Sequence, residues 1–495
     1  MEPQEAVSGD ILTSTEAGGR VIRGSALRAA GNAAGVVVGV VTAALLLRHL
    51  GVAESGRYVT VLSLVAIAGS VSENGLNVSA SRELALLPRP ERSALIANVV
   101  GQRLVVTPLA VLAMVAFAAV AGYPARMIAG TALAGAGMLI MALANSLLLP
   151  LTVELRNAGL AFIDFFRQAV TLAGVAVLVI VGARLLPFFA VQIVVGLAVL
   201  ALVPRLAGAG AFIAPSFDRA KHRALLARAL PLAVAIVLGQ LYFRLVIVLM
   251  SLVSSPRQTG LFGGSLRAME TLVSIPVLVA GVALPLLTAA ARDDPARLRY
   301  AIAGLSKGAI IAGVLVVLVA ARAAEPVMAI IGGHAFRPAG DVLRIQVAAL
   351  LFIALYQIWT VSLIALGRQR ELILTNSLGL LGVGVFAGVL VPLFDAQGGA
   401  VASVAGDALL AALIYWRLRA GIGTGAVMVG ARFLLRVTAA AVAACVPLLV
   451  SALPDFAAAA LAGVVFLGVG QLVGILPREL HEALRARAPF ARPRA

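Results

Sequence analysis

Apolar runs of bilayer-spanning length recur along this chain, separated by short polar breaks where arginines cluster. A helix needs roughly 20 mostly apolar residues to cross the hydrocarbon core, and by that measure the pattern predicts about fourteen spans. They fall near 26–47, 57–80, 95–120, 125–149, 160–182, 185–204, 229–252, 260–289, 302–321, 342–366, 371–393, 399–416, 430–452 and 456–476. The longest internal break, 207–228, is basic and carries Leu225, Leu226 and Leu230 at helical spacing, which predicts a cytoplasmic amphipathic surface helix. Six spans precede this linker and six follow before a final pair. The chain is therefore expected to divide into an N-terminal segment 1–25, a first lobe 26–206, the linker 207–228, a second lobe 229–420, an appended pair of spans within 421–476 and a basic tail 477–495. The fold class is all-α polytopic membrane protein, with two pseudo-symmetric six-helix lobes and a C-terminal helix pair. Gly56-Arg57-Tyr58 and Gly260-Leu261-Phe262 each open the second span of a half, 204 residues apart, and Arg103 and Lys307 share that separation. An even number of spans per half makes the two repeats parallel.

Composition supports the membrane reading. Hydrophobic residues make up 61% of the chain and charged residues 12%, where a soluble domain carries about 25% charge. The mean hydropathy is +1.05. The formal net charge of +17 first suggests nucleic acid. Its placement excludes that reading: with the N-terminus inside, about 29 of the 39 basic residues lie at cytoplasmic loops or span ends, as the positive-inside rule requires. Arg20, Arg23 and Arg28 lie at or just before the start of the first span and set a cytoplasmic N-terminus; fourteen passes return the C-terminus to the same side. The first 25 residues lack the apolar core of a secretory signal. A bacterial cytoplasmic membrane is the expected location. The stretch Arg219-Ala220-Lys221-His222-Arg223 is expected to meet anionic headgroups. Cys445 is the single cysteine, so no intrachain disulfide forms, and it is expected to be a small buried hydrophobe.

Signals for catalysis are poor. His49, His222, His334 and His481 are far apart, and none has metal-ligand spacing with another His, Cys or carboxylate. No phosphate-binding glycine loop and no nucleophile elbow is present. The chain is expected to be no enzyme and to need no metal or cofactor.

Polar side chains within spans carry more information, because an ionisable group at membrane depth costs several kcal/mol unless it is paired or hydrated. Arg28 and Asn32 share a face of the first span with Gly35 and Gly39. Ser70, Glu73, Asn77 and Ser81 form a stripe along the second, and Glu73 has no basic neighbour within one helical turn. Asp164, Arg167, Gln168 and Thr171 open the fifth. Gln240 and Arg244 share a face of the seventh, where Arg244 is the deepest unaccompanied cation. Arg267, Glu270, Thr271 and Ser274 lie on the eighth; Arg267 and Glu270, three apart, are also able to neutralise each other without any ligand. Polar content thus concentrates in equivalent helices of the two halves, and a water-filled cavity between the halves is the simplest arrangement. Cavity arginines suit a phosphate in particular, since a guanidinium stays charged and grips through two parallel hydrogen bonds.

The stretch from Leu50 through Tyr58, continuing to Glu73-Asn74-Gly75-Leu76 and Ser81-Arg82-Glu83-Leu84-Ala85, resembles the start of polysaccharide transporters of the multidrug/oligosaccharidyl-lipid/polysaccharide exporter superfamily. Leu261 to Ser265, Ile275-Pro276 and Leu284-Pro285-Leu286 look like the matching element of their second half. Leu366-Gly367-Arg368, Asn376 and Gly398 to Ser403 extend the likeness, which covers most of 20–420. The resemblance implies alternating access and passage of a polyprenyl-diphosphate-linked oligosaccharide to the outer leaflet, for polysaccharide, O-antigen or capsule assembly. It also implies a diphosphate- and glycan-binding role for Arg28, Arg244 and Arg267. Asn77 and Gln240 would add polar lining. A Na⁺ or H⁺ gradient acting through Glu73 or Glu270 is the expected driving force, given their depth. Expected partners are the lipid-linked glycan, membrane lipids and polysaccharide polymerase or assembly proteins; the chain is expected to act as a monomer.

Four rivals remain open, one of them a non-transporting scaffold in an envelope-assembly complex. A lipid II flippase also has fourteen spans, but the dense arginine and acidic pattern of its first two spans is missing here. A drug or cation antiporter of the same superfamily favours acidic and aromatic cavities, and this chain is 5% aromatic. A glycan polymerase or ligase would carry a large external loop, and the longest one here is 322–341.

Overall fold

The computed structural model describes residues 15–475 apart from 155, 208–212, 423–428 and 451. Within its helices, side chains are described except at 15–33, 73–76, 78–79, 82, 89–90, 157, 207, 219–222, 224–229, 231–232, 293, 295 and 421–422. The described residues form α-helices and no strand: α1 (Thr15–Leu86), α2 (Arg89–Val120), α3 (Ala125–Leu147), α4 (Leu149–Val153), α5 (Asn157–Ile180), α6 (Leu185–Ala207), α7 (Arg219–Val253), α8 (Pro256–Asp293), α9 (Pro295–Gly332), α10 (Ala339–Ala365), α11 (Arg370–Ile422), α12 (Ala431–Leu449) and α13 (Asp455–Val473). Among them, twelve helices are long and apolar enough to cross a membrane. Two of the twelve are broken inside: α1, 72 residues long, at Gly51 with φ 70°, and α11, 53 residues long, at Asp395 with φ 50°. The protein is an all-α multi-pass membrane protein.

Contacts divide the chain into two compact units. One gathers the described residues of Met1–Leu45 and Ala68–Ala233; the other gathers those of Leu46–Ile67 and Val234–Ala495. An unbroken first lobe over 26–206 was expected, yet residues 46–67 group with the second unit. The reason is a close helix crossing. A Cβ on Gly56 would stand 2.6 Å from the Pro256 carbonyl oxygen, and one on Gly260 would stand 1.9 Å from that of Val52. Only glycine permits backbones this near, the small-residue packing that joins helices in lipid. The two glycines paired by the internal repeat are thus packed against each other.

The linker also departs from expectation. It is not a surface helix over 207–228. Residues 213–218 run without helical structure, and the Ser216 backbone N–H donates to the Ala97 carbonyl on α2 at 3.0 Å. Helix begins only at Arg219 and continues without interruption into the seventh span. The bond to α2 satisfies a backbone group that the non-helical segment would otherwise leave unpaired.

In the second unit, α8 starts behind a Ser255 cap whose hydroxyl accepts from the Gln258 N–H at 3.2 Å. Asp294 caps α9, accepting from the Ala296 and Arg297 N–H groups at 2.8 and 3.1 Å. The appended pair, α12 and α13, packs on α9. Lys307 sits 5.8 Å from the centre of the Phe433 ring, and Arg322 pairs with Asp455 at 3.1 Å. Cys445 was expected to be buried; it is exposed on α12. The buried face of its helix holds Val437, Ala440 and Ala444, and Cys445 stands outside that face.

Candidate functional site

Helices α7 and α8 form a hairpin with a two-residue connection, Ser254-Ser255. At 1.5 Å per residue, Arg244 lies about 14 Å before that turn and Arg267 about 17 Å after it. In a hydrocarbon core roughly 30 Å thick, both stand near mid-depth. Sequence spacing fixes which way they face. On α7, Tyr242, Val246 and Met250 are buried, and on α8 Phe262, Leu266 and Met269 are buried. Gln240 with Arg244, and Arg267 with Glu270, Thr271 and Ser274, take up neighbouring faces and are half-buried.

The structure joins three of the expected residues. Arg244 Nη1 lies 2.7 Å from Glu270 Oε1. Arg267 Nη1 donates to Glu270 Oε2 at 3.1 Å. One carboxylate thus bridges two guanidiniums from two helices, leaving one net positive charge. The side chains are 15%, 22% and 28% exposed for Arg244, Glu270 and Arg267. Arg244 is therefore not the unaccompanied cation that sequence suggested, and Glu270 is not a free carboxylate. Arg244 Nε is buried with no hydrogen-bond partner. Thr271 and Ser274 turn their hydroxyls back to the carbonyls of Arg267 and Thr271, at 3.5 and 2.6 Å, as hydroxyls in an apolar helix commonly do.

Asn77 has another role. Its side-chain oxygen accepts from Nη2 of Arg103, whose Nη1 donates to the Ala142 carbonyl at 2.7 Å. Arg103 has no exposed surface. It ties α1, α2 and α3 together inside the first unit. One turn further along α2, the Thr107 hydroxyl bonds that of Ser72. The polar stripe of the second span therefore turns in part toward α2. The side chains of Glu73 and Arg28 lie outside the described residues. Gln240 is half-buried one turn from Arg244. Asp164 and Arg167 pair at 3.2 Å in an exposed position.

Sequence reading missed Arg103 as a structural cation and missed Asp407 altogether. Asp407, on α11 after its break, is 6% exposed and accepts from the Tyr242 hydroxyl at 2.7 Å. It lines a cavity of about 40 Å³ with Ser403 and Gln346, and Gln346 Oε1 in turn accepts from the Ser265 hydroxyl at 2.5 Å. Among the described residues, no basic side chain lines this cavity. Ser403 and Asp407, four apart on an otherwise apolar span, were the signal available in the sequence.

Several solved structures share this architecture. The chain superposes on the lipid II flippase MurJ in an inward closed conformation with a TM-score of 0.72 and 12% identity, over 92% of this chain and 99% of that one. An inward-facing multidrug resistance MATE family transporter of the MOP superfamily gives a TM-score of 0.59 and 12% identity, over 78% and 94%. The chain has the fold of the MOP-superfamily transporters. A MOP superfamily transporter from Pyrococcus furiosus, described as having a binding pocket of reverse polarity, gives 0.52 and 14%, over 81% and 93%. No protein-family model and no curated protein matches this chain.

Proposed function

We propose that this MOP-fold protein is a flippase that moves a polyprenyl-diphosphate-linked oligosaccharide from the cytoplasmic to the outer leaflet by alternating access. The observation that carries this reading is the bridge of Arg244, Glu270 and Arg267 at mid-depth in the second unit. Two guanidiniums that share a single carboxylate keep donors to spare, and a planar fork matches phosphate oxygens geometrically. Arg28 belongs to the same proposal as a further phosphate or glycan ligand, and Gln240 as a polar neighbour. The prenyl chain would stay in the bilayer while the head group passes. The protein would work in a bacterial cytoplasmic membrane with both termini inside, as a monomer, beside a polymerase or other assembly proteins, and without catalysing a covalent step.

The coupling ion, Na⁺ or H⁺, needs a carboxylate not already held by cations. Glu270 is held by two. Asp407 fits that requirement better, because its partner is a phenol and its cavity has room for about one water or small ion. Glu73 stays within the proposal on its depth alone.

The test is accumulation of lipid-linked sugar in a deletion strain complemented with Arg244→Ala or Arg267→Ala. Precursor should build up inside with each variant at normal protein levels. Normal export with both would end the proposal. A second reading, lipid II as cargo, is favoured by one observation. The superposition on MurJ takes in 92% of this chain, against 78% for the MATE transporter. Rescue of lipid II translocation, scored against rescue of O-antigen or capsule export, separates the two cargoes.

A further inference from the structure

Glu270 contacts both guanidiniums of the α7–α8 hairpin through different oxygens, Oε1 to Arg244 at 2.7 Å and Oε2 to Arg267 at 3.1 Å. This is how a phosphate would be expected to sit, one oxygen to each arginine, since carboxylate and phosphate offer similar forks of acceptors. The carboxylate reaches this seat from α8 itself, three residues from Arg267. We infer that Glu270 is an internal occupant of the anion seat: it holds the two arginines together when no cargo is present, and the cargo's diphosphate displaces it. This inference rests on the flippase reading above and deepens it.

Three features support displacement rather than a permanent structural bridge. First, the three side chains keep 15–28% exposure, so an incoming anion can reach them. Arg103, the structural cation of the first unit, has none. Second, the bridge leaves donors unused. A guanidinium has five N–H donors, and Arg244 Nε is buried with no acceptor. A diphosphate brings more oxygens and more charge than one carboxylate and can satisfy both forks together. Third, the bridge joins two helices whose connection is only two residues long, so breaking it does not separate them. The arginines remain near each other and ready for the larger anion.

Displacement sets a competition within the protein. Once the diphosphate is seated, Glu270 stands beside a like charge, which opposes binding. Neutralising Glu270 should therefore tighten anion binding. A Glu270 that only positioned the arginines would give the reverse effect. Release would benefit as well, because the carboxylate returns to the arginines as cargo leaves.

The experiment uses the full chain in phosphatidylcholine nanodiscs with farnesyl diphosphate as probe and farnesol as control, read by calorimetry. Glu270→Gln should lower the Kd at least about fivefold, as expected from removing a like charge. Glu270→Asp retains the charge but shortens the reach, so that both contacts cannot close, and should give an intermediate Kd. Arg244→Ala and Arg267→Ala should each raise it at least about tenfold. Farnesol binding should not depend on residue 270. Should both Glu270 variants bind at wild-type strength or more weakly while the arginine variants lose binding, the internal-occupant idea is overturned and the flippase reading stands. Wild-type binding by both arginine variants would overturn both. Thermal melting of each variant, with the wild type alongside, shows whether a lost signal is lost fold.

Discussion

Arg103 and Arg244 are both cations within helices long enough to cross a bilayer, and their surroundings differ in kind. Arg103 is fully buried and donates to the Asn77 amide oxygen and the Ala142 carbonyl. Arg244 is partly exposed and shares one carboxylate with Arg267. The first arrangement ties a buried guanidinium to two neighbouring helices and joins three helices. The second concentrates two positive charges on one negative charge and leaves donors over. A buried cation by itself therefore says little about function. The balance of donors, acceptors and access does.

The comparison breaks most visibly at Arg103. Replacing it with Ala takes the arginine donor from the Asn77 oxygen and from the Ala142 carbonyl, which keeps only the Ser146 hydroxyl as a side-chain donor, and leaves an arginine-sized void. Cutting a large, fully buried side chain back to Ala costs about 3–5 kcal/mol, a large part of a domain's whole margin. Arg103→Ala should fail to give monodisperse protein in detergent, and Asn77→Ala should lower the melting temperature by less. If Arg103→Ala were to fold normally and lose only transport, the structural assignment would be wrong. Arg244→Ala comes next. It should fold, because Glu270 keeps Arg267 at 3.1 Å, and lose translocation by at least about tenfold, roughly 1.4 kcal/mol. Arg244→Lys should recover part of it, since a lysine supplies charge without the fork.

How far each arrangement could be read from sequence depends on where its partners lie. The spans were legible because hydropathy is local, and so was the Arg267–Glu270 pair, three apart on one helix. The partners of Arg103 and Arg244 were not. Each lies 26 residues away on a packed neighbour, Asn77 for one and Glu270 for the other. Spacing within a helix cannot reveal a contact made across two. The grouping of 46–67 with the second unit was hidden for the same reason: Gly56 and Gly260 were visible as repeat markers, but not their contact. The non-helical stretch 213–218 was misread because a basic, leucine-bearing segment satisfies a helical pattern even where the backbone bonds to α2 instead.

A third test asks on which side of the comparison Asp407 belongs. Tyr242→Phe removes a hydroxyl that bonds it, at 2.7 Å. If that bond is structural, as at Arg103, stability should fall by about 1 kcal/mol, within the range for a buried hydrogen bond, and the ion dependence of transport should stay. Under the coupling proposal the fall in melting temperature is accompanied by a changed response to an imposed Na⁺ or H⁺ gradient in proteoliposomes. Asp407→Asn should abolish that response while leaving farnesyl diphosphate affinity at the wild-type value. Unchanged gradient dependence in Asp407→Asn would assign the acid to structure.

The smallest expected effect isolates burial from geometry. Asp341 and Arg344, on α10, form a pair at 2.9 Å with a three-residue spacing, close to Arg267 and Glu270 at 3.1 Å with the same spacing. The order of charges is reversed, no second guanidinium among the described residues shares the carboxylate, and the side chains are 43% and 55% exposed for Arg344 and Asp341. An exposed pair gains little, because water screens the charges and holding two long side chains costs entropy. Arg344→Ala should therefore move stability by no more than about 0.5 kcal/mol and leave both translocation and farnesyl diphosphate affinity unchanged. Distance and spacing being nearly matched, a null result here beside a large effect at Arg267 would assign the difference to depth and to the shared carboxylate. A loss at Arg344 as large as at Arg267 would mean that any arginine in the second unit matters through total charge alone, and the special standing of the α7–α8 bridge would go with it.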